Sequence, residues 1–148
     1  MARKRGRSHK ISGHFSIRDF VDPESGTSSF RISLGLVGAL ELLRSKAKQR
    51  VNIVRGYHSQ ENDTPRGFHK EYHSRGLAAD VTVDNMSAKS VFLLAEEIKD
   101  FGGIGLNLSK EYVHVDTRKE DDRALWVIDN GKRIDLTPEN RQSYLGDS

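Results

Sequence analysis

Apolar residues recur at helical spacing in two stretches of the chain. The first stretch follows Ser33, which is placed to cap a helix, and its apolar positions are Leu36, Val37, Leu40, Leu43 and Ala47. This spacing predicts a core helix of about 15 residues. The second stretch follows Ser87 and predicts a helix over residues 88–101, which two glycines then end.

Between and after these helices, alternating and β-branched residues predict short strands. The predicted strands cover residues 51–57, 77–83, 104–106 and 112–115. The strongest turn signal is Asn130-Gly131, because these residues accept the positive φ angles of a type I′ turn. It predicts a hairpin over residues 124–135, whereas the polar tail from Thr137 onward has no clear pattern.

Near the start of the chain, Ser16 is placed to cap a short helical turn that carries Phe20, with Asp19 in the capping-box position. Helices mixed with strands predict an α+β fold, with a small antiparallel sheet flanked by helices and a C-terminal β-hairpin. The 148 residues suffice for one core and are too few for two ordinary domains. We therefore expect a basic, flexible tail over residues 1–10 and a single domain over residues 11–148.

Composition limits the chemistry further. No window reaches the roughly 18 consecutive apolar residues of a membrane span, and no apolar run follows the basic start, so we expect neither an anchor nor a signal peptide. The net charge is only +3, and the excess lies mainly at the N-terminus, which makes nucleic acid a weak candidate partner. Because the chain has no cysteine, His, Asp and Glu are its strong metal ligands.

Two separate segments offer the ligands of an open catalytic zinc site. His73 and Asp80 lie in one segment and His114 lies in the other. Two imidazoles and one carboxylate leave the fourth position of a tetrahedral zinc ion to water. Gly76 agrees with this interpretation, because a turn that brings His73 and Asp80 to one ion needs a close backbone approach. Glu111 adds a spare carboxylate three residues before His114.

Four runs of residues carry a family resemblance, in order and in spacing. They resemble zinc D-alanyl-D-alanine carboxypeptidases and related murein endopeptidases, which belong to the hedgehog-type fold group. The runs are His14-Phe-Ser-Ile-Arg-Asp-Phe20, Arg55-Gly-Tyr-His-Ser-Gln-Glu-Asn62, His73-Ser-Arg-Gly-Leu-Ala-Ala-Asp80 and Tyr112-Val-His-Val-Asp-Thr-Arg118, with Trp126 after the last. The resemblance implies one zinc ion per chain, held by His73, Asp80 and His114, and cleavage of peptide bonds in peptidoglycan stem peptides or their cross-links.

The resemblance also implies roles for neighbouring residues. Glu111 would be the catalytic base that takes a proton from the zinc-activated water. Asp116 would steady a ligand histidine or an arginine such as Arg118. The substrate contacts would come from Arg55, Tyr57, His58 and Tyr112. The sequence departs from the family pattern at His58, because relatives usually have Ser-Gly-Tyr-Arg-Ser here and their arginine helps to bind substrate.

Three functions from different classes follow. The favoured one is a zinc peptidase acting at the bacterial cell wall or in the periplasm, either as a host enzyme or as a phage lysis or virion-associated protein. The second is a catalytically weak or inactive zinc-bearing binding module of the same fold, which the change at His58 keeps open. The third is a nucleic-acid-binding domain, which rests only on the basic residues between Arg3 and Lys10 and leaves the zinc ligands unexplained.

Overall fold

The computed structural model describes residues 10–20, 32–55, 76–119 and 121–146. These residues form four helices and six strands. In chain order they are α1 (Ile17–Phe20), α2 (Leu34–Ala47), β1 (Val51–Arg55), β2 (Ala78–Val83), α3 (Ala88–Glu96), β3 (Gly103–Asn107), β4 (Tyr112–Asp116), β5 (Ala124–Asp129), β6 (Lys132–Asp135) and α4 (Arg141–Leu145). None of the helices in these ranges has the length and apolar character of a membrane span.

The six strands form one sheet in the order β1-β2-β4-β3-β5-β6. Four of the neighbouring pairs are antiparallel, and β3 and β5 are parallel. The parallel pair arises because the chain reverses after β4 and returns on the far side of β3, where it runs in the direction of β3. The predicted α+β class is confirmed, and the sheet is mixed rather than wholly antiparallel.

The helix starts lie where the sequence predicted them. The Ser33 hydroxyl accepts hydrogen bonds from the backbone N–H groups of Gly35 at 3.1 Å and Leu36 at 3.3 Å. In the same way, the Ser87 hydroxyl accepts from the N–H of Ser90 at 3.1 Å. The Ser16 N–H donates to the Asp19 carboxylate at 2.8 Å, which completes the cap of α1. These side chains satisfy N–H groups that a helix leaves without partners at its first turn.

Helix α3 is shorter than predicted, because it ends at Glu96 and not at residue 101. Beyond it the chain forms tighter turns, in which the N–H of Ile98 donates to the carbonyl of Ala95 at 2.9 Å. The Arg123 guanidinium holds this segment by donating to the carbonyls of Glu96 at 2.7 Å, Ile98 at 2.5 Å and Phe101 at 3.0 Å. Carbonyls that would otherwise continue the helix are thus bonded to a side chain from another part of the chain.

The end of the chain confirms one prediction and corrects another. Asn130 and Gly131 have φ angles of 55° and 77°, and they join β5 to β6 in the predicted hairpin. The tail after Thr137 is more ordered than its polar sequence predicted, because it contains α4. This helix buries Leu145 and joins α3 through Arg141, which donates to Glu96 at 3.0 and 2.5 Å.

The two faces of the sheet have different roles. On one face, alternate strand residues join the apolar core that includes α2 and α3; among them are Ala79, Val81, Ile104, Leu106, Val113, Val115 and Val127. Because side chains alternate along a strand, the opposite face carries Asp80, His114, Asp116 and Trp126. These four are buried as well, although they lie outside the main apolar cluster.

Candidate functional site: a buried histidine between two carboxylates

A row of residues across four strands positions the site. Asp80 on β2 lies opposite His114 on β4. On the other side of β4, His114 lies opposite Gly105 on β3, and Gly105 lies opposite Trp126 on β5. A Cβ atom on Gly105 would collide with the indole of Trp126. The missing side chain therefore lets the indole approach His114, and the two ring centroids are 5.3 Å apart.

His114 is held by a carboxylate at each ring nitrogen. Its Nδ1 lies 3.1 Å from Oδ1 of Asp80, and its Nε2 lies 2.6 Å from Oδ2 of Asp116. The exposed fractions of Asp80, His114 and Asp116 are only 3%, 1% and 0%. Such complete burial makes these contacts stronger than they would be in water, because the surroundings screen charge less.

Asp116 is fixed in turn by Arg118. Its Oδ1 accepts from the backbone N–H of Arg118 at 3.1 Å and from Nε at 2.9 Å, while its Oδ2 accepts from Nη2 at 2.8 Å. The guanidinium also lies 5.4 Å from the ring centroid of Trp126. Gly103 leaves room for this pair, since a Cβ atom there would collide with both Asp116 and Arg118. Arg118, Asp116 and His114 thus form one connected polar chain.

The charges of the site follow from these contacts. Burial alone would lower the pKa of His114, but its hydrogen bonds to Asp116 and Asp80 outweigh burial and raise the pKa. Burial would raise the pKa of Asp116, but its hydrogen bonds to His114 and Arg118 hold the pKa far below its ordinary value. Asp116 is therefore an anion at neutral pH, and a positive charge is favoured beside it.

The geometry around Nδ1 of His114 fits a bound cation. When Nε2–H donates to Asp116, Nδ1 presents its lone pair toward an oxygen of Asp80, which is also electron-rich. A positive charge between the two atoms, from a proton or a metal ion, relieves this repulsion. Two ligand atoms on a tetrahedral zinc ion lie about 3.3 Å apart, given its usual bond lengths, and the observed separation is 3.1 Å. Asp80 and His114 provide two possible ligands. Within the described ranges, no group of three or more His, Cys, Asp or Glu side chains is arranged to hold a metal ion.

The other predicted site residues are placed as follows. Tyr112 is half-buried on β4, on the same face as His114. Glu111 is exposed in the turn before β4, with a φ of 58°, and its side chain forms no hydrogen bond or ion pair with another described residue. The backbone of Arg55 lies opposite Asp80 at the end of β1. Tyr57, His58 and His73 lie outside the described residues.

Sequence reasoning missed three residues that shape the site. Gly103 and Gly105 provide the space for Asp116, Arg118 and the indole of Trp126. Arg133 on β6 lies over that indole, with its guanidinium carbon 4.2 Å from the ring centroid. The alternation of glycine with apolar residues in β3 was the available signal, because it leaves one face of that strand without side chains.

These features define an α+β protein with a buried histidine-carboxylate centre on one face of a mixed sheet. The model of the family described as peptidase M15 matches residues 15–116, and the chain belongs to this family. Comparisons with curated proteins and with solved structures gave no match. The resemblance inferred from the sequence motifs is therefore confirmed at the level of the family. The matched region ends with β4, so β5, β6 and α4 lie beyond it.

Proposed function

We propose that the protein is a zinc-dependent peptidase that hydrolyses peptide bonds in peptidoglycan stem peptides or their cross-links, at the bacterial cell wall or in the periplasm. One observation carries the proposal: in a chain of the peptidase M15 family, Nδ1 of buried His114 and Oδ1 of buried Asp80 face each other at 3.1 Å. One zinc ion per chain would be held by these two residues and by His73. When bound, zinc lowers the pKa of water and polarises the carbonyl that is attacked.

The described residues would prepare His114 for this role. Asp116 would accept a hydrogen bond from Nε2–H, so that the lone pair of Nδ1, on the side of Asp80, binds the ion and is a better ligand. Arg118 keeps Asp116 ionised and holds it in place through three hydrogen bonds. Trp126 packs against the imidazole and limits its rotation. The site is therefore organised before the substrate arrives, which is what precise catalysis requires.

Glu111 would act as the general base. It lies three residues before His114, in the turn that leads into β4, where its exposed carboxylate is accessible to a substrate from solution. In this role it takes a proton from the attacking water and later gives it to the leaving amine nitrogen. The peptide itself would be held by Arg55, Tyr57, His58 and Tyr112.

Zinc analysis and digestion of purified peptidoglycan test the proposal. The protein purified without added metal should contain about one zinc per chain, and His114→Ala should lose it. The wild-type protein should release new amino groups from the peptidoglycan. Glu111→Ala should keep the zinc and lose about 10²- to 10⁴-fold in rate. Glu139→Ala is the matched control, because Glu139 is also exposed but lies far along the chain, after β6.

Each result separates the parts of the proposal. Zinc without any release of amino groups would indicate a binding module and not an enzyme. Equal nonzero rates for the wild type and Glu111→Ala would show that Glu111 is not the base, although the peptidase assignment would stand. A protein that binds no zinc and cleaves nothing would overturn the proposed function.

A further inference from the structure

A polar cavity lies at the edge of the sheet formed by β1. Its volume is about 450 Å³, and α1, α2, β1 and the segments that precede α1 and β1 provide its walls. The charged and polar groups that line it are His14, Asp19, Arg44, Arg50 and Asn52. The function proposed above makes no use of any of them.

The apolar wall of this cavity is on the other side of the sheet from the Asp80–His114 centre. Two of its apolar lining residues, Val51 and Ile53, lie opposite Val83 and Val81 on β2. Residues directly opposite on neighbouring strands point to the same face, and Val81 belongs to the core beneath the helices. Asp80 is next to Val81 in sequence and therefore points to the opposite face. The apolar wall of the cavity and the Asp80–His114 centre therefore lie on opposite faces of the sheet, and the two sites share no lining residue.

Two guanidinium groups of the cavity are available to a ligand. Neither Arg44 nor Arg50 makes a side-chain hydrogen bond or ion pair with another residue in the described part of the chain. Asp19, the carboxylate of the cavity lining, is already engaged, because it accepts from the Ser16 N–H at 2.8 Å and from the Ser16 hydroxyl at 3.3 Å. Among the residues that line the cavity, two arginines outnumber this one carboxylate, which favours an anion.

The position of His14 is also fixed. Its Nδ1 lies 2.6 Å from Oε1 of Glu41, and its backbone N–H donates to Oε2 of the same residue at 2.7 Å. The Ser12 hydroxyl donates to Oε2 as well, at 2.5 Å. With Nδ1 and the backbone bound to Glu41, the Nε2 edge of the half-exposed ring remains for the cavity. Glu41 thus orients the imidazole as a third polar group on the wall.

We propose that this cavity binds a carboxylate group carried by a peptide. Arginine binds carboxylates with two parallel hydrogen bonds, and the two arginines of this cavity provide such donors from two separate side chains. A cavity lined by two arginines and one carboxylate suits a monoanion better than a phosphate dianion. The apolar wall of Phe15, Val51 and Ile53 suits the short aliphatic stem that carries a carboxylate in an acidic residue.

Nuclear magnetic resonance titration of the full-length protein tests this site. The probe is N-acetyl-glutamate, and its neutral isostere N-acetyl-glutamine is the matched ligand. We expect N-acetyl-glutamate to shift the resonances of His14, Arg44 and Arg50 and to leave His114 unchanged. The double variant Arg44→Gln/Arg50→Gln should weaken this binding by at least about tenfold, because it removes charge-assisted hydrogen bonds. The neutral isostere should bind the wild type more weakly by a similar factor.

The control variant is Lys46→Gln/Lys89→Gln. It also removes two positive charges, but Lys46 pairs with Glu97 and neither lysine lines the cavity. It should bind N-acetyl-glutamate as the wild type does, and thermal unfolding should show that both double variants remain folded. Arg50→Gln alone, at an exposed position, provides the same comparison should the double variant unfold.

Three results would overturn the proposal. One is the absence of resonance shifts at the cavity, and another is unchanged binding in the arginine variants. The third is tighter binding of inorganic phosphate than of N-acetyl-glutamate, which would point to a phosphate site instead. Since the probe and the affected residues are separate from His114, the proposal can fail without affecting the peptidase assignment, and the reverse also holds.

Discussion

Gly105 allows Trp126 to pack against His114. It lies between these two residues in the cross-strand row, and a side chain at its position would point to the face that carries both of them. The indole occupies the space that any side chain at position 105 would need. Because this is the only tryptophan of the chain, its fluorescence reports directly on the packing of the site.

Gly105→Ala should therefore destabilise the protein and change the environment of the indole. The added methyl group must displace a fully buried ring from its place, and overpacking of this kind costs about 1–3 kcal/mol of the free energy of unfolding. Urea unfolding followed by circular dichroism measures the loss. The emission maximum of Trp126 should shift in the folded variant, because the ring can no longer lie over position 105.

Gly38→Ala is the control for this substitution. Gly38 lies within α2, and apart from the backbone of its own helix and its chain neighbours, a Cβ atom there would have no heavy atom within 4 Å. Since alanine favours helix more than glycine does, this variant should be stabilised by about 0.5–1 kcal/mol. Equal effects of the two alanine substitutions would show that the indole does not fill the space at Gly105.

At the scale of helices and strands, local signals predicted where elements begin better than where they end. The caps at Ser33 and Ser87 and the turn at Asn130 are set by residues within a few positions of the boundary. The end of α3 is set instead by Arg123, which is more than twenty residues away in sequence. No pattern within residues 88–101 could indicate that partner.

Helix α4 was missed for a similar reason. It has five residues and no capping hydrogen bond from its N-cap side chain, so its own sequence gives little sign of a helix. It is held by the burial of Leu145 and by the ion pair between Arg141 and Glu96 on α3. The hydrogen bond to Glu96 also raises the pKa of Arg141.

Arg123→Met should show how much the segment after α3 depends on this arginine. The variant keeps most of the side-chain volume and removes three hydrogen bonds to the carbonyls of Glu96, Ile98 and Phe101. We expect a loss of about 2–3 kcal/mol in the free energy of unfolding, because hydrogen bonds to a charged group are stronger than neutral ones. Urea unfolding measures the loss, and amide hydrogen exchange should become faster in residues 97–102.

Lys99→Met is the matched control for Arg123→Met. Lys99 is an exposed cation in the same segment, so its replacement should change stability by no more than about 0.5 kcal/mol. A similar loss in both variants would mean that the arginine does not hold the segment through its carbonyls.

At the scale of the whole molecule, the sequence motifs predicted part of the site. They brought Asp80 and His114 together as candidate ligands, and the pairing of β2 with β4 places these two residues opposite each other. They did not predict that β5 would run parallel to β3. That pairing joins Gly103 to Ala124, and β4 lies between these two residues in the sequence. The packing of Trp126 on His114 depends on this pairing, and so it could not be predicted either.

The region after β4 should therefore be essential for folding, although the family match ends at Asp116. A chain that ends at Lys119 would lose β5, β6 and α4, expose the edge of β3, and remove Trp126 from the site. We expect it to show no cooperative thermal unfolding by circular dichroism and poor dispersion of its amide resonances.

A chain that ends at Gly146 keeps every described element and should unfold like the full chain. If the chain ending at Lys119 unfolded cooperatively at the temperature of the full chain, β5 would be an addition to a complete domain. The structure predicts the opposite, because β3 is an interior strand and a buried interior strand needs a partner on each side.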